Sequence, residues 1–311
     1  MDKILVVGGT GFIGSHLVDN LLKNKFKVDS ISFKKRKKNN KANFFFIDLS
    51  KKINANIIKK INPNMIVYAA SLDHFDAEKK FDVGHQVGYL SLINLFNSEF
   101  IKKKLKKIIF LSTAQVYKNY CRENININSE IFPKNAYSLF HIQAENFLKY
   151  FALKNSINTI CLRIANGYGE PFFNKTNSWN IVINDLCLQA YKHNSININS
   201  NPNDYRNFIN VKDIAKEIVL NLKKKHNTNF IIKNIGSNKN LRIKTLAGII
   251  KSKFKIIMNK NIEINYKNKK NNKLKIYKFK INNLSSAKKL ISADLGVEKL
   301  IKYISFKNGK V

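Results

Sequence analysis

Ile4-Leu5-Val6-Val7-Gly8-Gly9-Thr10-Gly11-Phe12-Ile13-Gly14 sets three evenly spaced glycines, Gly8, Gly11 and Gly14, between a short apolar run and an amphipathic one. The apolar run reads as a buried strand, and Ile13, Leu17, Val18, Leu21 and Leu22 recur behind it at helical spacing. A strand, a glycine turn and a helix in that order make a seat for a dinucleotide pyrophosphate. Backbone N–H groups and the helix dipole favour the anion, and absent side chains let it approach. Phe12 and Ile13, which open the helix, join the three glycines as candidate cofactor-binding residues.

Outward from this turn, apolar runs recur at 44–47, 65–70, 108–111 and 159–164. Short continuous runs of this kind suit strands buried on both faces, hence a parallel sheet. Amphipathic stretches lie between them, Ala144, Phe147, Leu148 and Phe151 repeating as on a helix. The alternation predicts an α/β fold, a Rossmann doubly wound parallel sheet with a smaller C-terminal α+β substrate lobe. Residues 1–165 read as the dinucleotide-binding domain and 166–311 mainly as the lobe, with 206–235 returning to the Rossmann sheet. Helical signal covers 179–191, strand and helix 208–222, and strand 230–235. The Lys- and Asn-rich stretch 251–280 carries Ile, Tyr and Phe at intervals and reads as irregular strands of the lobe.

The second strand, near 28–33, should end in an acidic residue if the adenine ribose carries a free 2′-hydroxyl. Ser32 stands there instead, followed by a basic run that includes Lys34 and Arg36, suited to a 2′-phosphate. The reading therefore favours NADP over NAD. Asp48, after the third strand, can meet the adenine or simply cap the strand end. Leu49 beside it, and Ala69 and Ala70 at the end of the fourth strand, complete the cofactor-binding candidates.

The 311 residues carry 56 Lys and Arg against 20 Asp and Glu, a formal charge of +36. A polyanion-binding footprint clusters on one face. Here Lys is spread along the chain with an equally diffuse excess of Asn and Ile, the pattern of AT-rich codon usage, so a nucleic-acid partner is disfavoured. The surplus charge would still steer phosphate-bearing ligands inward. Cys121, Cys161 and Cys187 lack the spacing of a disulfide framework or a zinc site. No apolar run reaches 18 residues, and the first strand begins without a basic leader. The expectation is a cytoplasmic protein with neither membrane nor metal.

Further motifs resemble the extended short-chain dehydrogenase/reductase superfamily, in its branch of nucleotide-sugar epimerases, dehydratases and reductases. The resemblance spans residues 1 to about 247. Ser112-Thr113-Ala114-Gln115-Val116-Tyr117 is similar to the family's Ser/Thr-x-x-Val-Tyr segment, and Leu162-Arg163-Ile164-Ala165-Asn166-Gly167-Tyr168-Gly169 to its LRxxNxYG segment. Arg206-Asn207-Phe208-Ile209-Asn210-Val211-Lys212-Asp213 is similar to RDFIHVxD, and Asn234-Ile235-Gly236-Ser237 to the NIGS that follows.

The resemblance implies that Tyr137 exchanges a proton with a sugar hydroxyl while hydride passes between the sugar carbon and the nicotinamide. Thr113 would hydrogen-bond the same oxygen. A phenol of lowered pKa beside a hydroxyl is a competent acid/base pair for interconverting alcohol and ketone. The family's Lys four residues after the Tyr is replaced here by His141. The spacing keeps His141 on the same helix face, where it is counted as both catalytic and cofactor-binding. At neutral pH, however, an ordinary His with pKa about 6.5 is mostly uncharged.

The positions where family dehydratases carry Asp and Glu hold Ala114 and Gln115, which disfavours dehydration. Asn166, Arg206 and Asp213 match positions near the substrate, Arg206 facing the nucleotide diphosphate. The implied function is a nucleotide-sugar oxidoreductase or 4-epimerase using NAD(P), acting as a homodimer. The alternative opened by His141 and the charge is a catalytically impaired dinucleotide-binding module associated with RNA.

Overall fold

Runs whose side chains alternate between two buried faces build the central sheet. The computed structural model describes residues 2–34, 41–51, 55–96, 104–121, 123–173, 176–267, 278–285 and 289–308. Its strands are β1 (Lys3–Val7), β2 (Lys27–Ser32), β3 (Asn43–Phe46), β4 (Met65–Tyr68), β5 (Lys107–Thr113) and β6 (Asn158–Ile164), followed by β7 (Asn166–Tyr168), β8 (Ser195–Ile198), β9 (Tyr205–Asn210), β10 (Phe230–Ile235), β11 (Asn240–Arg242) and β12 (Glu263–Tyr266). Seven of them form a parallel sheet in the order β10-β6-β5-β4-β1-β2-β3. This is the Rossmann-like α/β architecture.

The four residues Ile4 to Val7 are completely buried. Ile4 and Val6 pack with Leu17, Val18, Ile214 and Ile218 from the helices Phe12–Lys23 and Val211–Lys223. Leu5 and Val7 share the opposite core with Leu92 and Leu95 from Ser91–Phe96 and with Ala144 and Leu148 from Ala136–Asn155. Each buried Leu or Ile contributes about 1.5–3 kcal/mol relative to exposure, which is why the strands covered on both faces carry no polar alternation. β2 and β4 flank β1, so the strand order reverses at β1, and the crevice beyond the carboxyl ends of these strands is the ligand-binding edge of such a sheet.

A third core lies beyond the sheet, built from Tyr168, Leu186, Phe208, Leu246, Ile250, Phe254, Leu300 and Ile304 among others. Two small sheets accompany it, β11-β9-β7 and β12-β8. Of the stretch 206–235, β9 therefore lies outside the seven-stranded sheet. The helix after β9 packs on the Phe12–Lys23 helix, and β10 extends the sheet edge beside β6. Residues 251–258, expected as irregular strand, continue a helix, Ile243–Met258. Its buried Leu246, Ala247, Ile250 and Phe254 fall at helical spacing, and the intervening lysines hid that period. A strand does follow, Glu263–Tyr266, parallel to β8.

Residues 278–285 run back across the Rossmann domain. Ile125 N–H donates to the Lys278 carbonyl and Lys280 N–H to the Ile125 carbonyl, at 2.7 and 2.8 Å. The buried Glu217 carboxylate accepts from Leu284 N and Ser285 N, each at 2.7 Å, and the buried Asp213 carboxylate accepts from Ile291 N at 2.7 Å. Asp213, placed near the substrate by its motif, is thus an anchor for the C-terminal segment. Glu217→Ala leaves two inner amides without an acceptor, so it should lower the unfolding free energy by about 2–3 kcal/mol, measured by urea denaturation.

Candidate active site

The glycine turn closes on itself and on the next strand. Gly8, at φ +92°, donates its N–H to the Ile31 carbonyl at 2.8 Å, and a Cβ there would lie 2.9 Å from the Ala69 carbonyl oxygen. At Gly14 a Cβ would collide with the Gly8 carbonyl. Gly11 is different, for it is exposed, caps the Phe12–Lys23 helix, and a Cβ on it would meet only the Gly8 oxygen within 4 Å. The first-turn N–H groups of Phe12, Ile13 and Gly14 have no intrahelical acceptor and sit beside this open side. The cradle fits a dinucleotide pyrophosphate. Ala69 and Ala70 border it through backbone atoms, the Ala69 carbonyl and the Ala70 amide lying against Gly8.

Toward the adenine end, Ser32 is buried and its hydroxyl lies 3.0 Å from that of Ser30. Lys34 is exposed two residues later, and Arg36 lies outside the described residues. Asp48 accepts from the Ser50 amide at 2.9 Å and the Ser50 hydroxyl at 2.6 Å, and the Ser50 hydroxyl in particular holds its carboxyl below the usual range. The strand-end cap is therefore occupied by Asp48. Leu49 is buried among Leu5, Val7 and Ile31, which leaves its backbone to border a ligand.

Tyr137 stands in the first turn of Ala136–Asn155. Asn135 and Ser138 form a reciprocal capping box, and Glu78 accepts from Ala136 N at 2.9 Å, so the start of this helix is pinned from two sides. Thr113, at the carboxyl end of β5, and Ser71, just beyond β4, lie close enough to the Tyr137 phenol to act on its ionisation. Burial pushes the phenol above its ordinary pKa, the Thr113 and Ser71 hydroxyls offset part of that, and the Asp73 carboxylate adds to it. The direction is opposite to the lowered pKa expected of an ion-assisted tyrosine.

Burial is the main cause, and His141, in the place of the family's Lys, brings no charge to offset it. Its ring is buried, centred 4.3 Å from the Tyr137 ring and 5.7 Å from that of Phe110. Nδ1 lies 2.7 Å from the Tyr137 carbonyl oxygen, a pure acceptor, so Nδ1 carries the hydrogen and Nε2 is left as an acceptor. Burial holds its pKa below the ordinary value, outweighing the Tyr137 carbonyl and Glu145. The imidazole is thus neutral at pH 7 and supplies no cation.

One turn further, Glu145 takes three hydrogen bonds from Arg163, from Nε at 3.0 and 3.3 Å and from Nη2 at 2.7 Å, and one from the Ser112 hydroxyl at 2.5 Å. The Arg163 guanidinium also sits 4.8 Å from the Tyr117 ring centroid. Arg163 of the LRxxN segment is a clamp joining the Tyr137 helix to β5 and β6. Asn166 is likewise engaged within the fold, giving its amide hydrogens to the Tyr120 hydroxyl at 2.9 Å and the Asn207 carbonyl at 2.8 Å. The Arg206 side chain is half-buried and makes no hydrogen bond or ion pair among the described residues, which leaves its guanidinium open to an anion.

Ser71, Asp73 and Glu145 escaped the sequence reading. Only the hydroxyl directly after the Ala69-Ala70 strand end could have drawn attention to the first.

The NAD dependent epimerase/dehydratase family model matches residues 4–236. A putative UDP-glucose 4-epimerase of Methanocaldococcus jannaschii is 31% identical over 258 residues, 80% of this chain and 81% of that protein. The dTDP-4-dehydro-6-deoxyglucose reductase of Escherichia coli is 21% identical over 261 residues, 80% and 81% of the two chains. Among solved structures, MoeE5 in complex with UDP-glucuronic acid and NAD superposes with a TM-score of 0.81 at 16% identity, covering 98% of this chain and 99% of its own. The UDP-glucose 4-epimerase of Thermotoga maritima with UDP-glucose gives 0.78 at 21% identity with the same coverage. These two share the fold.

A His that stays neutral in the native state binds fewer protons than the unfolded chain once the pH falls below about 6.5, so stability drops on acidification by up to about 1.4 kcal/mol per pH unit and is unaffected above that pH. His141→Gln should flatten this acid limb, measured as urea unfolding between pH 7.5 and 5.

Proposed function

Because this chain belongs to the NAD-dependent epimerase/dehydratase family, we propose that it is a nucleotide-sugar oxidoreductase or 4-epimerase, with Tyr137 as acid/base and Thr113 orienting the sugar oxygen. The observation that carries the reading is the placement of Tyr137 near Thr113 and Ser71 at the carboxyl ends of β5 and β4, on the edge where the glycine turn opens. A nicotinamide dinucleotide bound along that edge supplies or accepts the hydride. The chain's own residues do the rest. The turn at Gly8, Gly11 and Gly14 and the amides of Phe12 and Ile13 hold the pyrophosphate. Tyr137 moves the proton at its hydroxyl oxygen, Thr113 fixes the acceptor, and His141 offers Nε2 to a ribose hydroxyl. Arg206 pairs with the substrate diphosphate. Ala114 and Gln115 carry neither acid nor base, so removal of a sugar hydroxyl lacks its residues.

Two finer points belong to the same proposal. NADP is preferred to NAD, since Ser32 rather than a carboxylate ends β2 and Lys34 lies exposed just beyond. A homodimer through the Ala136–Asn155 helix suits the exposed Tyr150 and Leu153 on its outer side. No helix among the described residues is long and apolar enough to cross a membrane, and we place the chain in the cytoplasm. The non-catalytic, RNA-associated alternative is not favoured, the relatives being named as enzymes.

Tyr137→Phe should cut turnover of a nucleotide sugar by about 10³-fold and leave dinucleotide affinity, measured by calorimetry, within twofold. Unchanged turnover would remove Tyr137 from the chemistry. Ser32→Asp should move the NADP/NAD preference toward NAD by at least about tenfold, one hydrogen-bonded carboxylate against a repelled phosphate, read as the ratio of the two dissociation constants.

A further inference from the structure

An open cleft of about 510 Å³ lies between the Phe12–Lys23 helix, the start of Val211–Lys223 and the end of Ala293–Asn308, bordered by Glu170, Pro171 and Phe172. The glycine turn, Thr113, Tyr137 and Arg206 form no part of its walls, so the hydride-transfer chemistry makes no use of it. Its size falls within the range of about 300–1,000 Å³ common to small-molecule sites. We propose that this cleft is a second ligand site, taking a phosphate ester of a polyol, either a nucleoside monophosphate or a sugar phosphate. The site stands apart from the nucleotide-sugar reading, and the failure of either leaves the other untouched.

The donors come first. Lys23, Lys212, Lys216 and Lys307 line the cleft against two carboxylates, Asp19 and Glu170. Lys212 and Lys216 stand in the first two turns of their helix, where its dipole adds positive potential. Lys23 pairs with Asp19 at 2.7 Å, Lys212 with Glu170 at 2.8 Å and Lys216 with Asp213 at 3.3 Å. An ammonium has three hydrogens, so each of these lysines keeps donors for a ligand. Lys307 makes no ion pair or hydrogen bond among the described residues. The acceptors narrow the class further. Glu170 Oε1 takes the Lys212 hydrogen, whereas Oε2 is closed off from water and accepts nothing. His16 Nε2 lies 2.8 Å from the Glu170 carbonyl oxygen, a pure acceptor, so Nε2 carries the hydrogen and Nδ1 is left as an acceptor. Nδ1 finds no partner among the described residues, and burial holds the His16 pKa below its ordinary value. A bare anion would serve the lysines and leave these acceptors unmet. Phosphate joined to hydroxyls answers both. Phe172, edge-on to His16 at 5.5 Å, and Tyr303 add apolar surface for a sugar or a base.

Calorimetry on the full chain, with its dinucleotide seat saturated by NADP or NAD, tests the site. AMP and glucose 1-phosphate are titrated in turn, with inorganic phosphate and glucose as controls. One equivalent of at least one ester should bind at least about tenfold more tightly than inorganic phosphate or glucose, the worth of one added charge-assisted hydrogen bond. The tighter of the two esters identifies the source. The double variant Lys212→Gln/Lys307→Glu should weaken ester binding by at least about tenfold and leave dinucleotide affinity within about twofold. Lys307→Glu alone breaks no ion pair among the described residues and so spares the fold; it should weaken ester binding by about threefold or more. Arg206→Ala, which removes the guanidinium assigned to the substrate diphosphate, should leave ester binding unchanged. Three results would overturn the site: neither ester bound, esters bound no more tightly than inorganic phosphate, or an ester affinity that the lysine variants leave unmoved. Loss of ester binding in Arg206→Ala would place the ester in the catalytic cleft instead and overturn it equally.

Discussion

The ion pair between Glu145 and Arg163, both nearly inaccessible to water, holds the site's framework in register. A buried pair of this kind gains little net stability over apolar residues, but removing one partner strands a buried charge at a cost of about 3–5 kcal/mol. Its geometric consequence matters more here. Glu145 belongs to the Tyr137 helix, Ser112 precedes Thr113 on β5, and Arg163 lies on β6, so one carboxylate ties together the elements that bring Tyr137 and Thr113 to the same place. Tyr117 extends the connection, donating its hydroxyl to Asn234 of β10 at 2.6 Å while its ring lies against Arg163. Three of the motif segments of the family and the Tyr137 helix thus meet in a network whose work is alignment.

The surplus of positive charge is handled by the same economy of burial. Lys107, almost fully buried, donates to the carbonyls of Asn221, Leu222 and Lys224 at the C-terminal end of Val211–Lys223, where a helix offers unpaired acceptors and a partial negative charge. Lys233 reaches the Asn221 side chain at 2.7 Å. Lys107 and Lys233 are thus both spent on the fold.

The central strands and the glycine turn were legible in the sequence because their requirements are local. A strand covered on both faces must be apolar throughout, and a turn that brings Gly8 against the Ala69 carbonyl admits no side chain. The helix Ile243–Met258 was not legible, since its lysines on the outer side diluted a period that only the third core makes visible. The return of 278–285 over the Rossmann domain was invisible for another reason. Its partners Ile125 and Glu217 are distant in the chain, and a carboxylate accepting two amides has no sequence pattern. Asn166 and Asp213 sat in recognisable motifs, yet their polar atoms turned out to be spent on the fold itself.

By itself the sequence determined the sheet, the dinucleotide seat and the candidacy of Thr113, Tyr137 and His141, because strand periodicity, turn chemistry and helical spacing are set by neighbours along the chain. Only the tertiary structure decided how their surroundings bear on the ionisation of Tyr137 and His141. Whether an imidazole is charged and whether a phenol holds its proton depend on burial and on which carbonyls, hydroxyls and carboxylates arrive from β4, β5 and the preceding helices. Those groups converge through packing, and no spacing in the sequence records them.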